Sequence, residues 1–179
     1  MLDSAFKYKE EIKAKMIDTW YDDKYKFYHS SSYHEVFSLP ESKDGDWNCR
    51  QFVSLDSNGN VLGYMDYGID REYELAYNFG AINFFDNIAA KATFGKDLIQ
   101  VIDDIFCKFN MRKMEFWVIC GNPVERSYDR LIKKYGGKIV GIRTKHCKLM
   151  DNRFYDDKCY ELFREDYIKA KENKNATKK

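Results

Sequence analysis

The sequence predicts an α/β protein of the α+β kind: a single domain in which helices flank a mixed, mostly antiparallel sheet. Three observations carry this reading. Residues 121–141, GNPVERSYDRLIKKYGGKIVG, read as a strand end, a capped helix and the start of another strand, with no spare residues between them. The middle of the chain holds three strand-like runs separated by tight-turn signals. The length of 179 residues suffices for one well-buried core and is short for two.

Taken in order, residues 6–28 set Tyr8, Ile12, Met16 and Trp20 at helical spacing and predict one amphipathic helix or two, with no obvious strand before them. Residues 29–47 mix turn formers with a few apolar anchors and read as an irregular connection. Cys49 to Leu55 and Val61 to Tyr67 are strand-like and flank the hairpin signal Asn58-Gly59. Leu75 to Phe85 follows the polar turn at Asp70 and Arg71 as a third antiparallel strand. Phe94, Leu98, Val101, Ile102, Ile105, Phe106 and Phe109 then repeat at helical spacing. Met114 to Cys120 is a short buried strand, at which the sheet becomes mixed.

In the helix that follows, Asn122 accepts from first-turn amides, Pro123 suits the first helical position and Glu125 reaches back as a capping-box carboxylate. Val124, Tyr128, Leu131, Ile132 and Tyr135 form its apolar stripe, and Gly136 with Gly137 gives a left-handed exit. Two strands, 138–150 and 154–164, close the fold around Asp151 and Asn152. The domain is expected to span residues 1–168, and the tail 169–179 is too polar to pack and is expected to be disordered.

Composition excludes several functions. The formal charge of +1, from 30 basic and 29 acidic residues mixed along the chain, gives no electrostatic case for nucleic acid or an anionic membrane, local patches aside. Tyr77, Phe79, Phe84 and Phe85, the candidates for base stacking, alternate as core residues do. No apolar run approaches a membrane span, and the first residues resemble neither a signal nor a transit peptide, so a cytoplasmic location is expected. Cys49, Cys107, Cys120, Cys147 and Cys159 form no close pair and are read as reduced, with Cys107 and Cys120 as small hydrophobes. His29, His34 and His146 lack metal-site spacing, so no metal is expected.

The order helix, three antiparallel strands, helix, strand, helix, two strands resembles the GNAT superfamily of acyl-CoA N-acyltransferases, over residues 50–168. The closing run 151–167, DNRFYDDKCYELFREDY, is similar to the final hairpin of the ribosomal-protein N-terminal acetyltransferase branch, through Asn152, Arg153, Phe154, Asp156, Asp166 and Tyr167. The resemblance implies acetyl-CoA as co-substrate, with its diphosphate on a loop opening the helix after the fourth strand. Such a loop has a basic or amide residue followed by two small ones, because helix N-terminal amides and close backbone approach favour phosphate. Here the matching stretch is degenerate: Ala90 stands for the basic residue, Thr93 and Gly95 for the small ones, with Lys91, Phe94 and Lys96 between and beside them. The same stretch also reads as a helix capped by Thr93 with solvated lysines.

The resemblance further implies a pantetheine contact for Asn122 and a tyrosine acid on the next helix. The usual acid position, one turn before Gly136, holds Ile132, while Tyr128 lies one turn earlier on the same face and Ser127 is a weaker substitute. Direct attack by an amine needs its proton removed, which for a lysine-like pKa near about 10.4 costs on the order of 4–5 kcal/mol at pH 7. Glu74 is the leading candidate base, with Glu72 and Asp86 as others. The expected activity is acetyl transfer to a primary amine, whether a protein N-terminus, a lysine or a small amine. The alternative is a GNAT-fold binding or regulatory protein that has lost transfer. A homodimer through the late strands is compatible with either.

Overall fold

A computed structural model describes residues 1–28 and 48–176. The expected connection at 29–47, with His29 and His34, and the last residues 177–179 lie outside the described residues. The chain opens with β1 (Leu2–Ser4), which pairs antiparallel with β2 (Cys49–Leu55), Leu2 opposite Ser54. Three residues are too few for an alternating pattern to register, so this strand is visible only through its partner. A 3-10 turn at Ala5–Tyr8, α1 (Lys9–Thr19) and a second 3-10 turn at Asp23–Tyr28 make the expected helical N-terminal region in short pieces.

The antiparallel meander continues through β3 (Val61–Asp70) and β4 (Leu75–Asn83). Asp56 closes the β2–β3 hairpin by accepting the amides of Asn58 and Asn60 at 2.8 and 2.9 Å. Next, α2 (Ile88–Asp103) ends in a π-helical turn at Asp104–Lys108 and returns the chain to β5 (Lys113–Ile119), parallel to β4. The fold is completed by α3 (Glu125–Tyr135), β6 (Lys138–Lys148), β7 (Phe154–Phe163) and α4 (Arg164–Ala176). The described strands form one sheet of order β1-β2-β3-β4-β5-β7-β6, with β7 antiparallel to both its neighbours.

One core cluster joins Met65, Tyr67 and Ile69 of β3 to Val101 and Ile102 of α2 and to Tyr128, Ile132 and Tyr135 of α3. Phe116 of β5 is its hub, stacked on Tyr160 with centroids 4.9 Å apart and meeting the Tyr128 ring edge-on at 5.0 Å. A smaller cluster of Ala5, Ile12, Val53, Leu55 and Val61 seats α1 against the β2–β3 hairpin. At the other edge, β6 is exposed along most of its length, Ile139, Val140 and Ile142 included. Its antiparallel ladder with β7 is reinforced by Arg143, whose Nε donates to the fully buried Asp157 at 2.9 Å.

The tail expected to be disordered from Lys169 is instead helical to Ala176. Its polar composition hides its anchors. Tyr167 is fully buried against Phe106 and Tyr135 and donates its hydroxyl to Asp103 at 2.7 Å, Lys171 pairs with the same carboxylate, and Ala170 rests on the core.

Candidate active site

Parallel β4 and β5 pair only at their first residues, Leu75 with Lys113 and Ala76 with Met114. The cause lies in β4. Asp66 stands opposite Gly80 while Gly68 stands opposite Tyr77, so β4 carries one extra residue there, with Asn78 in the left-handed region at φ +51°. Such a bulge bends its strand. Beyond it β4 and β5 separate into a V that holds a cleft of about 430 Å³, walled by Gly80, Ala81 and Ile82 on one side and Trp117, Val118 and Ile119 on the other. The β4 edge facing this cleft has no ladder partner on β5, and unpaired backbone N–H and C=O groups need partners.

Two residues singled out from the sequence meet in this cleft. Asn122 is buried; its Oδ1 accepts the Val124 amide at 3.1 Å while Glu125 accepts the Gly121 amide at 3.0 Å, so the expected side chains do bind the entry turn, but α3 starts at Glu125 with Val124 at its cap position, and Pro123 lies in the turn before it rather than at the first helical position. The Asn122 side chain also hydrogen-bonds Tyr28. Tyr128, on the first turns of α3, is buried beside it and lines the same cleft. Burial pushes its phenol well above the ordinary range, helped by the nearby Asp66 and Tyr28, so the hydroxyl stays protonated. Gly136, at φ +78°, ends α3 as expected, and Ile132 is core. Ser127 faces solvent.

The remaining candidates do not gather here. Glu74 is exposed in a left-handed turn at the closed end of the V, where its carbonyl accepts the amides of Arg112 and Lys113. It does not line the cleft, and Glu72, in the same turn, is likewise exposed. Asp86 is solvent-exposed and paired with Lys24 and Lys91, whose hydrogen bonds hold its carboxyl below the usual range.

The expected phosphate loop is not a loop. Asn87, not Thr93, caps α2, accepting the Ala90 amide at 2.8 Å, and Lys91 to Lys96 lie inside the helix. The amides of Thr93, Phe94 and Gly95 therefore belong to the helical ladder. Phe94 is buried against Gly63 of β3; Lys91, Gly95 and Lys96 are exposed, and a Cβ built on Gly95 meets no atom within 4 Å.

Asp66 was missed by sequence reasoning. It sits half-buried on β3 and lines the cleft, its carboxylate lying over Gly80: a Cβ there would come within 2.6 Å of Oδ1. Tyr64 hydrogen-bonds it, and Gln51 Nε2 donates to the Tyr64 hydroxyl at 3.0 Å. Desolvation pushes the Asp66 carboxyl up to about 6. In sequence it is one aspartate in YMDYGID, indistinguishable from a solvated strand position; the only hint is the glycine at position 80.

Burial raises the thiols of Cys120, Cys147 and Cys159, against a nucleophilic role. Among the described residues, no three His, Cys, Asp or Glu side chains gather to hold a metal ion, and no helix is long and apolar enough to cross a membrane.

No family model and no curated protein sequence matches the chain. Solved structures do. A chimera of the spermidine N-acetyltransferase SpeG from Vibrio cholerae and hSSAT is similar over 94% of this chain and 99% of its own, with a TM-score of 0.66 and 19% identity. A mutant of the Vibrio cholerae enzyme matches over 94% and 97%, with a TM-score of 0.65 and 19% identity. The Vibrio cholerae spermidine/spermine N-acetyltransferase in complex with manganese ions matches over 70% and 71%, with a TM-score of 0.57 and 22% identity. At these identities the likeness establishes the fold. The mixed seven-stranded sheet flanked by helices is the GNAT fold.

Proposed function

We propose that this protein is an acetyl-CoA-dependent N-acetyltransferase that moves an acetyl group to a primary amine by direct attack. The observation that carries the reading is the V between β4 and β5, with Tyr128 and Asn122 converging in it on a GNAT fold. Acetyl-CoA supplies the acetyl group as an activated thioester. The free β4 edge offers amides both to an extended arm and to a developing oxyanion. Asn122 presents its amide at the same wall, and the protonated Tyr128 hydroxyl is suited to donate to a departing thiolate. The N-terminus of α2 follows β4 closely, and with Lys91 beside it favours an anionic group such as a diphosphate.

The acceptor is a primary amine in this reading. The hairpin of residues 151–167 favours a protein N-terminus, on its likeness to the ribosomal-protein N-terminal acetyltransferases. The similar solved structures, described as spermidine N-acetyltransferases, favour a polyamine. A second reading, a GNAT-fold binding module without transfer, draws on one observation: the stretch corresponding to the phosphate loop is wound into α2.

Calorimetric titration separates the two readings. The enzyme reading expects micromolar binding of acetyl-CoA, weakened about tenfold by Lys91→Glu, a loss of roughly 1.4 kcal/mol. Absence of binding at millimolar acetyl-CoA contradicts it.

A further inference from the structure

The cleft holds one charged side chain among its described lining residues, and that side chain is a carboxylate. Asp66 is drawn out of water, and no Lys, Arg or His contributes to its surroundings. The groups that face it are the Tyr64 hydroxyl from its own strand, Gln51 through that hydroxyl from β2, Gly80 from β4 and Tyr128 from α3. A desolvated carboxylate without a counter-charge is costly unless a cation completes the site. Tyr28 and Tyr64, which line the same cleft, present aromatic rings that suit a cation as well. The glycine at position 80 keeps the carboxylate seated against the strand edge along which the cleft opens.

Resting on the acetyltransferase reading, we propose that Asp66 is the group that receives the acceptor's primary ammonium and takes its proton for transfer. The proton balance is complete. The ammonium gives one proton to Asp66 and becomes the free amine; its nitrogen forms the C–N bond to the acetyl carbon as the C–S bond breaks. The thiolate takes a proton from Tyr128, which is refilled by the second proton of the nitrogen, and Asp66 releases its own to solvent. The products are the amide, free CoA and one proton. With its carboxyl near pH 6, Asp66 is ionised at neutral pH yet basic enough to act.

The test uses the wild-type protein, Asp66→Asn and Asp66→Glu, with acetyl-CoA and three acceptors: spermidine, Nα-acetyl-lysine amide and an alanyl tripeptide. With whichever acceptor the wild type uses, kcat/KM is expected to fall on its acid side through an apparent pKa near about 6. Asp66→Asn is expected to lose about 10²–10³-fold in kcat/KM and to lose that acid limb, with acetyl-CoA affinity unchanged. Asp66→Glu is expected to keep the limb and part of the rate. Independently of turnover, carboxyl ¹³C NMR of the wild type is expected to show the Asp66 midpoint shifting downward on addition of the acceptor, because a bound cation favours the ionised form.

An unmoved Asp66 midpoint, or an Asp66→Asn variant that keeps both rate and acid limb while the wild type transfers acetyl, overturns the assignment and leaves the acetyltransferase reading standing. A wild type that neither binds acetyl-CoA nor acetylates any of the three acceptors sinks that reading, and the assignment with it.

Discussion

Asp66 is ionised at neutral pH against the preference of its surroundings, and that has a consequence for stability. Its folded carboxyl lies near about 6 against an ordinary 3.8, so between those values the native state binds more protons than the unfolded chain. Stability therefore falls as pH rises through this window, and the full cost applies above it. Asp66→Asn removes the charge and is expected to stabilise the protein at pH 8 by on the order of 2 kcal/mol, and by less at pH 4, as read from urea unfolding. Tyr128→Phe is expected to keep the fold, because the ring contacts with Phe116 and Tyr160 survive, while kcat in steady-state assays falls about 10²-fold. The placing of Asn122 and Glu125 at the entry of α3 and of Tyr128 on its buried stripe was legible, because a helix entry is a local motif and a stripe a periodic one. Asp66 was not, because its desolvation is made by Gly80 and by the tyrosines that surround it, which no local pattern records.

At the scale of elements, α2 shows how propensity overrides a loop motif. The run Ile88 to Ala92 offers alanines and a lysine with no proline or glycine, and Asn87 supplies the cap, so the helix starts before the stretch that was expected to stay open. Gly95 is then an ordinary exposed helix position. Gly95→Ala is expected to raise stability by about 0.5–1 kcal/mol in thermal or urea unfolding and to leave acetyl-CoA affinity unchanged, whereas a glycine needed for phosphate approach would lose binding. The outer β6 depends on a different device. Its side chains are mostly exposed, and the Arg143–Asp157 pair supplements its backbone ladder to β7. Arg143→Ala strands a fully buried carboxylate and is expected to lower stability by about 3 kcal/mol in the same unfolding experiment.

For the whole molecule, element order was readable because each segment carries its own period, cap or turn: the β2–β3 hairpin, the α3 entry and exit, the closing strands. The parts that escaped depend on distant partners. The three-residue β1 exists through β2, and α4 is fixed by Tyr167 and Lys171 meeting Asp103. The cleft is of the same kind. It arises because a bulge at Asn78 turns β4 away from β5, and only then do Tyr128 and Asp66, more than sixty residues apart, share one space.

Transfer itself is the most direct test. The protein is incubated with isotope-labelled acetyl-CoA and each of the three amines, and the products are read by mass spectrometry against a Tyr128→Phe control. The account predicts a labelled N-acetyl product and free CoA in equal amounts, both strongly reduced in the control. Acetyl-CoA bound by the protein but never transferred to any amine would contradict it and leave a binding module in its place.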